Sequence, residues 1–533
     1  MLINIHAAKC IGIDAVPVTV EVDISRGLGI HLVGLADVAV KESLLRTVTA
    51  LQSSGFHVPG KKIVINLAPA DMHKSGSGYD LPIALGIIAA SGQRVMPMLG
   101  GYLVMGELGL DGSLRDIPGA IPMVELAVKT GLKGCILPLR SAREASDYKD
   151  FGIYAADTLE DAVRILSEDD ADDLLVWNRL GEESCRDGDN PCDRVSSDMM
   201  DFSEIVGQEQ AKRGMEIAAA GGHNIIMIGS PGSGKSSLAK ALPGILPPMD
   251  VEESLVTSKI YSVAWAGRQG TGLMRRRPFR APHYSASLVS LIGGGSGQNI
   301  LPGEVSLAHN GVLFIDEIAQ MPKSVLEALR APLEDRKVTV SRLKAKVEYP
   351  ASFMLVAASN PCPCGYYGEG DRCRCTVGQQ LSYMGRLSGP MMDRIDVQLW
   401  LRCVPAGKLV NPPEAESSAK VAERVILARR AQKERFAGSG INVNAEMTGK
   451  QIRQLCPLDG PCRSLMEKIT GRMGLSARAF TRVVKLARTI ADLQWAAEVQ
   501  RAEGRHPPDR PGPILPRHLA EAAGFRFLDK MDY

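Results

Sequence analysis

The stretch 224-NIIMIGSPGSGKSS-237 joins an apolar run, a glycine-rich turn and the start of a helical pattern. Its centre reads G-x-x-x-x-G-K-S, the spacing of a P-loop. The glycines let backbone N–H groups close around phosphate oxygens, and the helix N-terminus adds its positive dipole end. The residues predicted to bind ATP are Gly229, Ser230, Pro231, Gly232, Ser233, Gly234, Lys235 and Ser236. We expect Lys235 to reach the β- and γ-phosphates and Ser236 to ligate Mg²⁺.

Two further apolar runs end in polar side chains that suit phosphate chemistry. GVLFID at 311–316 leads into Asp316 and Glu317, and FMLVAASN at 353–360 ends at Asn360. Ligands bind at the carboxyl ends of strands in open α/β sheets, so we expect these side chains to meet the P-loop. Asp316 would hold Mg²⁺, Glu317 would polarise the attacking water, and Asn360 would orient it. Taken alone, the acid pair could also be the solvated end of an ordinary strand.

One arginine outside these runs is a candidate for the same reaction. Arg394, within Met-Asp-Arg-Ile-Asp, could act as an arginine finger. Such a guanidinium stabilises transition-state charge when a neighbouring subunit presents it. A surface salt bridge is the alternative role, and the arrangement alone does not decide between the two.

Four of the eleven cysteines crowd into one short stretch with the spacing C-x-C-x₈-C-x-C. We call Cys362, Cys364, Cys373 and Cys375 the cysteine cluster. Two close pairs of thiolates can form a tetrahedral Zn²⁺ site, although C-x₂-C is the more usual pair spacing. We therefore predict a structural zinc site. Four free thiols and a redox pair are the alternatives that the spacing leaves open.

Composition excludes several classes of protein. The chain has 533 residues, 45% of them hydrophobic and 23% charged, so it can bury several cores and is not mostly disordered. Its longest purely apolar runs are about ten residues, half of what a membrane helix needs. The start, MLINIHAAKC, shows no secretory signal, and we expect a cytoplasmic protein with no membrane partner. The net charge of +2 requires any nucleic-acid surface to be a local patch.

The residue pattern divides the chain into three blocks and a linker. Residues 1–166 alternate short β-branched runs with helical stretches, which indicates a small α/β or α+β domain. Residues 167–200 carry eleven acids against three basic residues and predict a solvated linker, with a short helix near 174–180. Residues 201–403 hold the buried strand-like runs and indicate a parallel sheet, whereas residues 416–533 are helical by pattern.

With these motifs assembled, the chain resembles the magnesium-chelatase-like AAA+ ATPases of the ComM (YifB) competence family along nearly its whole length. The stretches that carry the resemblance include GLADVAVKES (34–43), GELGLDGSLRDIPGAIP (106–122), DFSEIVGQEQAKRGMEIAAAGGHNIIMIG (201–229), RRPFRAPHYSAS (276–287), NPCPCGYYG (360–368), RLSGPMMDRID (386–396) and LSARAFTRVVKLARTIADL (475–493). The resemblance implies a multidomain α/β fold, with an AAA+ P-loop parallel-sheet core of the helix-2-insert clade and a helical C-terminal lid. It also implies a hexameric ring that moves on DNA by ATP hydrolysis, as in branch migration during homologous recombination.

The resemblance also assigns individual roles. Asn360 matches sensor 1, Arg394 the arginine finger and Arg478 sensor 2. Residues 257–300 match the helix-2 insert and residues 337–349 the presensor-1 hairpin. Both of these elements would face the pore of the ring.

The N-terminal block resembles the α+β proteolytic domain of Lon proteases, in which a Ser–Lys dyad does the chemistry. The nucleophile position falls on or near Gly78, and the lysine position on or near Ile121. Neither side chain can act as nucleophile or base. We therefore predict a proteolytically inactive domain that serves assembly or DNA handling.

Local basic clusters supply the candidate DNA contacts, because phosphate binding needs grouped cations. Residues 420–505 carry seventeen Lys or Arg against eight Asp or Glu, although charged helix faces are often merely solvated. The candidates in the insert and the hairpin are Arg276, Arg277, Arg280, Arg342, Lys344 and Lys346. The partners we expect are single-stranded or branched DNA, further copies of this chain, and recombination proteins.

Two other functions stay open beside the ATP-dependent DNA motor. A protein unfoldase or Lon-like protease is suggested by the N-terminal block, but the missing Ser and Lys argue against proteolysis. A magnesium-chelatase motor subunit is suggested by the family name. The additional N-terminal domain, the cysteine cluster and the basic C-terminal block argue against that role.

Overall fold

The computed structural model describes residues 2–35, 37–74, 76–167, 171–180, 200–264, 271–295, 300–342, 345–387, 389–501, 509–526 and 528. Within these ranges, a seven-stranded mixed sheet and a five-stranded sheet each organise a separate core. A group of helices follows the second sheet. None of the described helices is long and apolar enough to cross a membrane.

The N-terminal domain is built on the seven-stranded sheet, in the order β3-β4-β2-β1-β5-β8-β9. Its strands are β1 (Leu2–Ile11), β2 (Asp14–Ser25), β3 (Gly29–Val33), β4 (Lys62–Ala68), β5 (Tyr102–Val104), β6 (Glu107–Leu108), β7 (Leu114–Arg115), β8 (Gly134–Pro138) and β9 (Gly152–Ala156). Its helices are α1 (Val38–Ser53), α2 (Asp80–Ser91), α3 (Ala120–Lys129), α4 (Leu139–Glu144), α5 (Leu159–Leu166) and α6 (Val176–Leu180). Val18, Val20 and Val22 alternate along β2 and are buried, because one face of this strand packs on α2 and α3.

The N-terminal domain continues beyond the residue where the sequence predicted a linker. Leu174 and Val176 are buried in its core, and Arg179 donates a hydrogen bond to the carbonyl oxygen of Ala155. Burial of these apolar side chains therefore holds α6 and the turn before it on the domain, although the surrounding stretch is acidic. Residues 168–170 and 181–199 of the predicted linker lie outside the described residues.

The middle domain is built on a parallel sheet in the order β11-β14-β17-β10-β18. Its strands are β10 (Ile225–Gly229), β11 (Phe279–Arg280), β12 (Gly293–Gly294), β13 (Leu301–Pro302), β14 (Val312–Ile315), β15 (Lys337–Arg342), β16 (Ala345–Pro350), β17 (Met354–Ser359) and β18 (Val397–Leu401). Its helices are α7 (Glu209–Gly221), α8 (Lys235–Ala241), α9 (Val251–Ala264), α10 (Leu288–Ile292), α11 (Glu304–Leu307), α12 (Lys323–Ala328), α13 (Arg330–Asp335), α14 (Val377–Met384), α15 (Gly389–Met392) and α16 (Ala406–Val410). Every residue of β10, β14 and β17 is buried, which explains why these strands read as continuous apolar runs. The predicted parallel sheet is confirmed.

The stretch predicted as a helix-2 insert is not one structural unit. Phe279 and Arg280 form the edge strand of the parallel sheet, where they pair with Val312 and Leu313. Another described part of the stretch is α10 with the short β12–β13 pair, and Leu291 of α10 is buried against the sheet. Residues 265–270 and 296–299 of the stretch lie outside the described residues. The stretch predicted as the presensor-1 hairpin forms the antiparallel pair β15–β16.

The C-terminal block is helical, as predicted. Its helices are α17 (Ser418–Arg435), α18 (Gly449–Leu455), α19 (Gly460–Met473), α20 (Ala477–Arg501) and α21 (Pro516–Gly524). The long helix α20 packs on α7, α17 and α21. The helical block and one face of the parallel sheet thus share one apolar core.

The N-terminal domain is bonded directly to α9 of the middle domain. Lys259 is 7% exposed, and its Nζ lies 2.5 Å from Asp14 and 2.7 Å from Glu125. Ser262 donates a hydrogen bond of 2.7 Å to Glu144 in the same contact. Helix α9 is therefore fixed to the N-terminal domain by ion pairs and hydrogen bonds, of which those to Glu125 and Glu144 are largely buried.

Candidate nucleotide and metal sites

Three of the predicted catalytic segments meet at the carboxyl edge of the parallel sheet, the edge at which its strands end. The P-loop follows β10, Asp316 follows β14 and Asn360 follows β17. The Lys235 Nζ donates hydrogen bonds to the carbonyl oxygens of Gly229 and Ser230 at 2.7 and 2.9 Å, and to Asn360 Oδ1 at 3.3 Å. Burial lowers the pKa of Lys235, against the opposing effect of Asp316. The ammonium group thus has three oxygen acceptors around it. Phosphate oxygens of a nucleotide could take the place of these acceptors.

The two predicted magnesium ligands are in contact. Ser236 Oγ donates a hydrogen bond to Asp316 Oδ2 at 3.0 Å. The Glu317 N–H donates to Asp316 Oδ1 at 2.9 Å, and Glu317 itself has a φ of 52°. This left-handed conformation is unusual for a glutamate and is typical of residues held in place at functional sites. One hydroxyl and one carboxylate at this spacing can share a Mg²⁺ ion, which prefers oxygen ligands.

Arg394 lies at the opposite, amino edge of the same sheet. Its carbonyl oxygen accepts a hydrogen bond of 3.0 Å from Asn224, the residue directly before β10. The guanidinium is buried, pairs with Glu334 at 2.5 Å, and donates to the carbonyl oxygens of Arg330 and Pro390. The five residues of β18 place this edge about 16 Å from the carboxyl edge. The fold does not bring Arg394 to the P-loop of its own chain.

Arg478 lies at the amino edge as well. Its guanidinium is 67% exposed and lies 3.8 Å from Asp393. One turn further along α20, Arg482 pairs with Asp396, the residue that precedes β18. Burial alone would raise the pKa of Asp396, but Arg482 and His223 hold that pKa well below its ordinary range. The helical block is therefore docked by charge at the amino edge, and it carries Arg478 with it.

One residue that contacts the P-loop was not predicted from the sequence. Gln208 donates from its amide nitrogen to the carbonyl oxygens of Ser233 and Arg402, at 2.9 and 2.8 Å. Its φ of 59° is again left-handed. Gln208 lies in a stretch that carries the family resemblance, but a glutamine at the start of a helix has no motif of its own that would have marked it.

The cysteine cluster has the geometry of a metal site. The sulfur of Cys362 lies 3.3 Å from that of Cys364 and 3.8 Å from that of Cys373, and all four sulfurs lie within 4.8 Å of one another. Sulfur atoms around a tetrahedral zinc ion would be about 3.8 Å apart. Backbone N–H groups of Tyr366 and Arg374 lower the pKa of Cys364 to about 6, whereas burial raises the pKa of Cys362 to about 12, so the spacing of the sulfurs is the observation that indicates a metal site. The four residues therefore fit a bound metal ion.

Two of the six DNA candidates are neutralised within the fold. Arg277 pairs with Glu253 at 2.6 Å, and Arg280 pairs with Glu304 through two bonds of 2.7 and 2.8 Å. These ion pairs argue against DNA contacts by Arg277 and Arg280, because each charge already has a fixed partner.

Of the other four DNA candidates, the structure describes the side chains of two. Arg276 and Lys346 have exposed side chains. Lys346 also lines a cavity of about 730 Å³ between the hairpin and the N-terminal domain. The side chain of Arg342 and the whole of Lys344 lie outside the described residues.

Part of the positive charge of the helical block is also compensated internally. Arg424 pairs with Glu216 at 2.7 Å, and Arg435 pairs with Asp492 at 2.6 Å. Arg429 is directed to the carbonyl oxygen of Ala219. The excess of basic residues in the sequence therefore overstates the charge that this block can offer to DNA.

The positions predicted for a Ser–Lys dyad hold no such pair. Gly78 lines the cavity between the N-terminal domain and the hairpin, and Ile121 is fully buried in α3. The nearby Ser77 donates its hydroxyl to the carboxylate of Glu107. At neither predicted position is there a side chain that can act as nucleophile or base.

Comparison with known proteins places these sites in a family. Residues 20–141 match the family described as subunit ChlI of Mg-chelatase, residues 201–409 match magnesium chelatase subunit ChlI, and residues 415–504 match its C-terminal region. The chain is 42% identical over 532 residues to the uncharacterized protein YifB of Escherichia coli, which covers 99% of this chain and 97% of the relative. The chain belongs to the YifB and ComM family of magnesium-chelatase-like proteins.

A second relative supports the same family, whereas a magnesium-chelatase subunit matches only part of the chain. The competence protein ComM of Haemophilus influenzae is 39% identical over 529 residues, which is 99% of this chain and 98% of the relative. The magnesium-chelatase 38 kDa subunit of Cereibacter sphaeroides is 27% identical over only 174 residues, or 30% of this chain and 52% of the relative. The resemblance of the sequence to the YifB and ComM family is thus confirmed over the whole chain. The mixed α/β fold with a helical C-terminus fits that family.

Proposed function

We propose that this chain is an ATP-driven DNA motor that works as a ring, with each ATP held between two neighbouring subunits. The observation that carries the proposal is the separation of Lys235 from Arg394 and Arg478 on opposite edges of one sheet. Phosphoryl transfer needs a guanidinium close to the γ-phosphate to stabilise the transition-state charge. A subunit that presents its amino edge to the P-loop of the next subunit supplies this group, and repetition of that contact closes a ring.

Hydrolysis would be carried by residues at the carboxyl edge. Lys235 exchanges its carbonyl partners for oxygens of the β- and γ-phosphates. Ser236 and Asp316 would hold Mg²⁺, which would neutralise charge on the phosphate oxygens. Glu317 polarises the attacking water, and Asn360 orients it from the neighbouring strand.

The two arginines differ in how readily they can serve the neighbouring subunit. Arg478 is mostly exposed and has only a long contact with Asp393, so it can reach outward without rearrangement. Arg394 must first leave Glu334, with which it forms a short ion pair. We therefore assign the direct approach to Arg478, and to Arg394 an approach that depends on subunit contact.

DNA is the substrate that the charge and the family support best. Lys346 is an exposed cation on the hairpin that the family resemblance places at the pore, and Arg276 is exposed just before the edge strand β11. Cations bind the phosphate backbone, whereas other side chains would be needed to read base edges. Contacts of this kind favour movement along DNA that does not depend on its sequence. The name of the relative ComM refers to competence, and the movement that we assign to this chain is branch migration of incoming single strands. The N-terminal domain would serve assembly or DNA handling rather than proteolysis, and the cysteine cluster would hold a structural Zn²⁺.

The test is ATP hydrolysis by the purified protein, with and without single-stranded and forked DNA. We expect DNA to stimulate turnover, and Lys235→Ala and Glu317→Gln to abolish it. Lys240→Ala is the matched control, because Lys240 is an exposed lysine on the same helix and has no P-loop contact among the described residues. Stimulation by DNA would justify a three-stranded branch-migration assay. Turnover that ignores every DNA form but rises with an unfolded protein such as casein would replace the DNA motor with an unfoldase.

A further inference from the structure

The loop that carries the cysteine cluster, between β17 and α14, packs directly on the P-loop. Gly365 has a φ of 85°, and a Cβ atom there would lie 2.9 Å from the ring of Pro231. Only glycine permits both this conformation and this approach. Gly365 follows Cys364 directly, so the contact with the P-loop lies beside the metal-binding sulfurs.

A second contact in the same loop is polar. One carboxylate oxygen of Glu369 accepts a hydrogen bond of 3.0 Å from Ser230 Oγ and another of 3.2 Å from the Cys403 N–H. Ser230 is 2% exposed, and its carbonyl oxygen accepts from Lys235 at 2.9 Å. Glu369 therefore joins the loop to the P-loop and to the end of β18 at a single atom.

The position of Glu369 links it to the metal site. It lies between the two cysteine pairs, in a loop whose only regular element is one short turn at Gly370–Arg372. Cys362 is buried in this loop, but most other side chains between residues 363 and 376 are not. A segment with so little apolar burial gains its order from a cross-link, and a metal ion on four sulfurs would provide one.

We propose that Glu369 is a positioning residue of the nucleotide site, and that metal binding by the cysteine cluster fixes Glu369 against Ser230. Metal loading thereby sets the affinity of the P-loop for nucleotide. This inference rests on the proposed function, because it assumes that the P-loop binds nucleotide. It extends that function by giving the cysteine cluster a role in nucleotide binding.

The first measurement is the affinity for N-methylanthraniloyl-ADP in the presence of Mg²⁺, with the zinc content of every sample determined in parallel. We expect Glu369→Ala to weaken nucleotide binding by about five- to tenfold while the zinc content stays at the wild-type value. Glu369→Gln restores most of the affinity, because an amide oxygen can accept both hydrogen bonds. Asp371→Ala is the matched control, since Asp371 is an exposed acid in the same loop with no P-loop contact in the described structure.

The second measurement removes the metal. Cys373→Ser, and wild-type protein stripped with a chelator, should both lose affinity to about the extent of Glu369→Ala, and zinc should restore the stripped protein. The double variant Cys373→Ser/Glu369→Ala should bind no more weakly than either single variant, because both changes break the same connection. Additive losses would overturn the connection between metal and Glu369.

The outcomes separate this inference from the proposed function. Wild-type binding in Glu369→Ala, or unchanged binding in the stripped protein, overturns the inference and leaves the ATPase proposal intact. Failure of the wild-type protein to bind the nucleotide analogue at all overturns both.

Discussion

Arg394 and Lys235 lie at opposite edges of one five-stranded parallel sheet, and the five residues of β18 span about 16 Å between those edges. Arg478 shares the edge of Arg394, because α20 is docked there through Arg482 and Asp396. Neither arginine can reach a nucleotide on the P-loop of its own chain. The P-loop and the two arginines thus lie at opposite edges of the sheet, as the proposed site shared between subunits requires.

This arrangement predicts recovery of activity in mixed rings. Lys235→Ala and Arg478→Ala should each abolish or strongly reduce ATP turnover alone. In an equal mixture, about a quarter of the subunit contacts join an intact P-loop to an intact Arg478, so turnover should return in part. The measurement is ATP hydrolysis as a function of mixing ratio, with assembly followed by light scattering. Co-assembly without any recovery would place Arg478 at the nucleotide of its own subunit.

Gln208 should stabilise the middle domain through its two carbonyl contacts. Gln208→Gly removes both hydrogen bonds but suits the left-handed backbone, so we expect a loss of about 1 to 2 kcal/mol in the free energy of unfolding. Gln208→Ala should cost about 1 kcal/mol more, because alanine is strained at this φ. Urea unfolding of the wild type and the two variants measures both losses of stability. A glycine variant as stable as the wild type would show that the contacts with Ser233 and Arg402 contribute nothing.

The sequence could predict those parts of the site that depend on local pattern. The P-loop, the acids after β14 and the helices of the C-terminal block each lie within one short stretch with a recognisable period or spacing. The sequence names Arg394 as a candidate arginine finger, but its place at the amino edge follows from the parallel pairing of β18 with β10. That pairing joins two segments that lie far apart in the chain, so no local pattern predicts it.

Other relationships depend on residues far apart in the chain. Glu369 and Ser230 are separated by 139 positions, and no pattern within either segment links them. The DNA candidates Arg277 and Arg280 read as a basic cluster, and only the fold reveals that Glu253 and Glu304 neutralise them. A charge count cannot distinguish a solvated cation from one with a partner.

Lys259 should hold the N-terminal domain on α9. Its pKa is raised, since the carboxylates of Glu125 and Asp14 outweigh the effect of burial. Lys259→Met keeps the apolar stem but leaves Glu125 without its buried partner, and we expect a loss of about 1 to 3 kcal/mol in the free energy of unfolding. Glu125→Met in the same chain should recover most of that loss, because two apolar groups then pack together. Differential scanning calorimetry of the single and double variants tests this, and equal stability of Lys259→Met and the wild type would contradict it.

His309 should make the stability of the middle domain depend on pH. It is 9% exposed, and its Nδ1 accepts a hydrogen bond of 2.9 Å from the Ser352 N–H, which only the neutral ring can do. Burial, with a smaller effect of Arg277 and Arg336, lowers its pKa from 6.5 to about 4. Between these values the unfolded chain binds a proton that the folded chain does not. The stabilisation is therefore complete above pH 6.5 and is lost as the pH falls toward 4.

The expected loss is about 2 kcal/mol in the free energy of unfolding at pH 5 relative to pH 8. His309→Asn supplies an amide oxygen as acceptor in place of Nδ1 and does not titrate, so this variant should lose the part of the pH dependence that His309 causes. Urea unfolding at pH 8, 6 and 5 measures the difference between the two proteins. If the wild type and His309→Asn lost stability in parallel across that range, the buried imidazole would not be the group responsible, because only the wild type carries it.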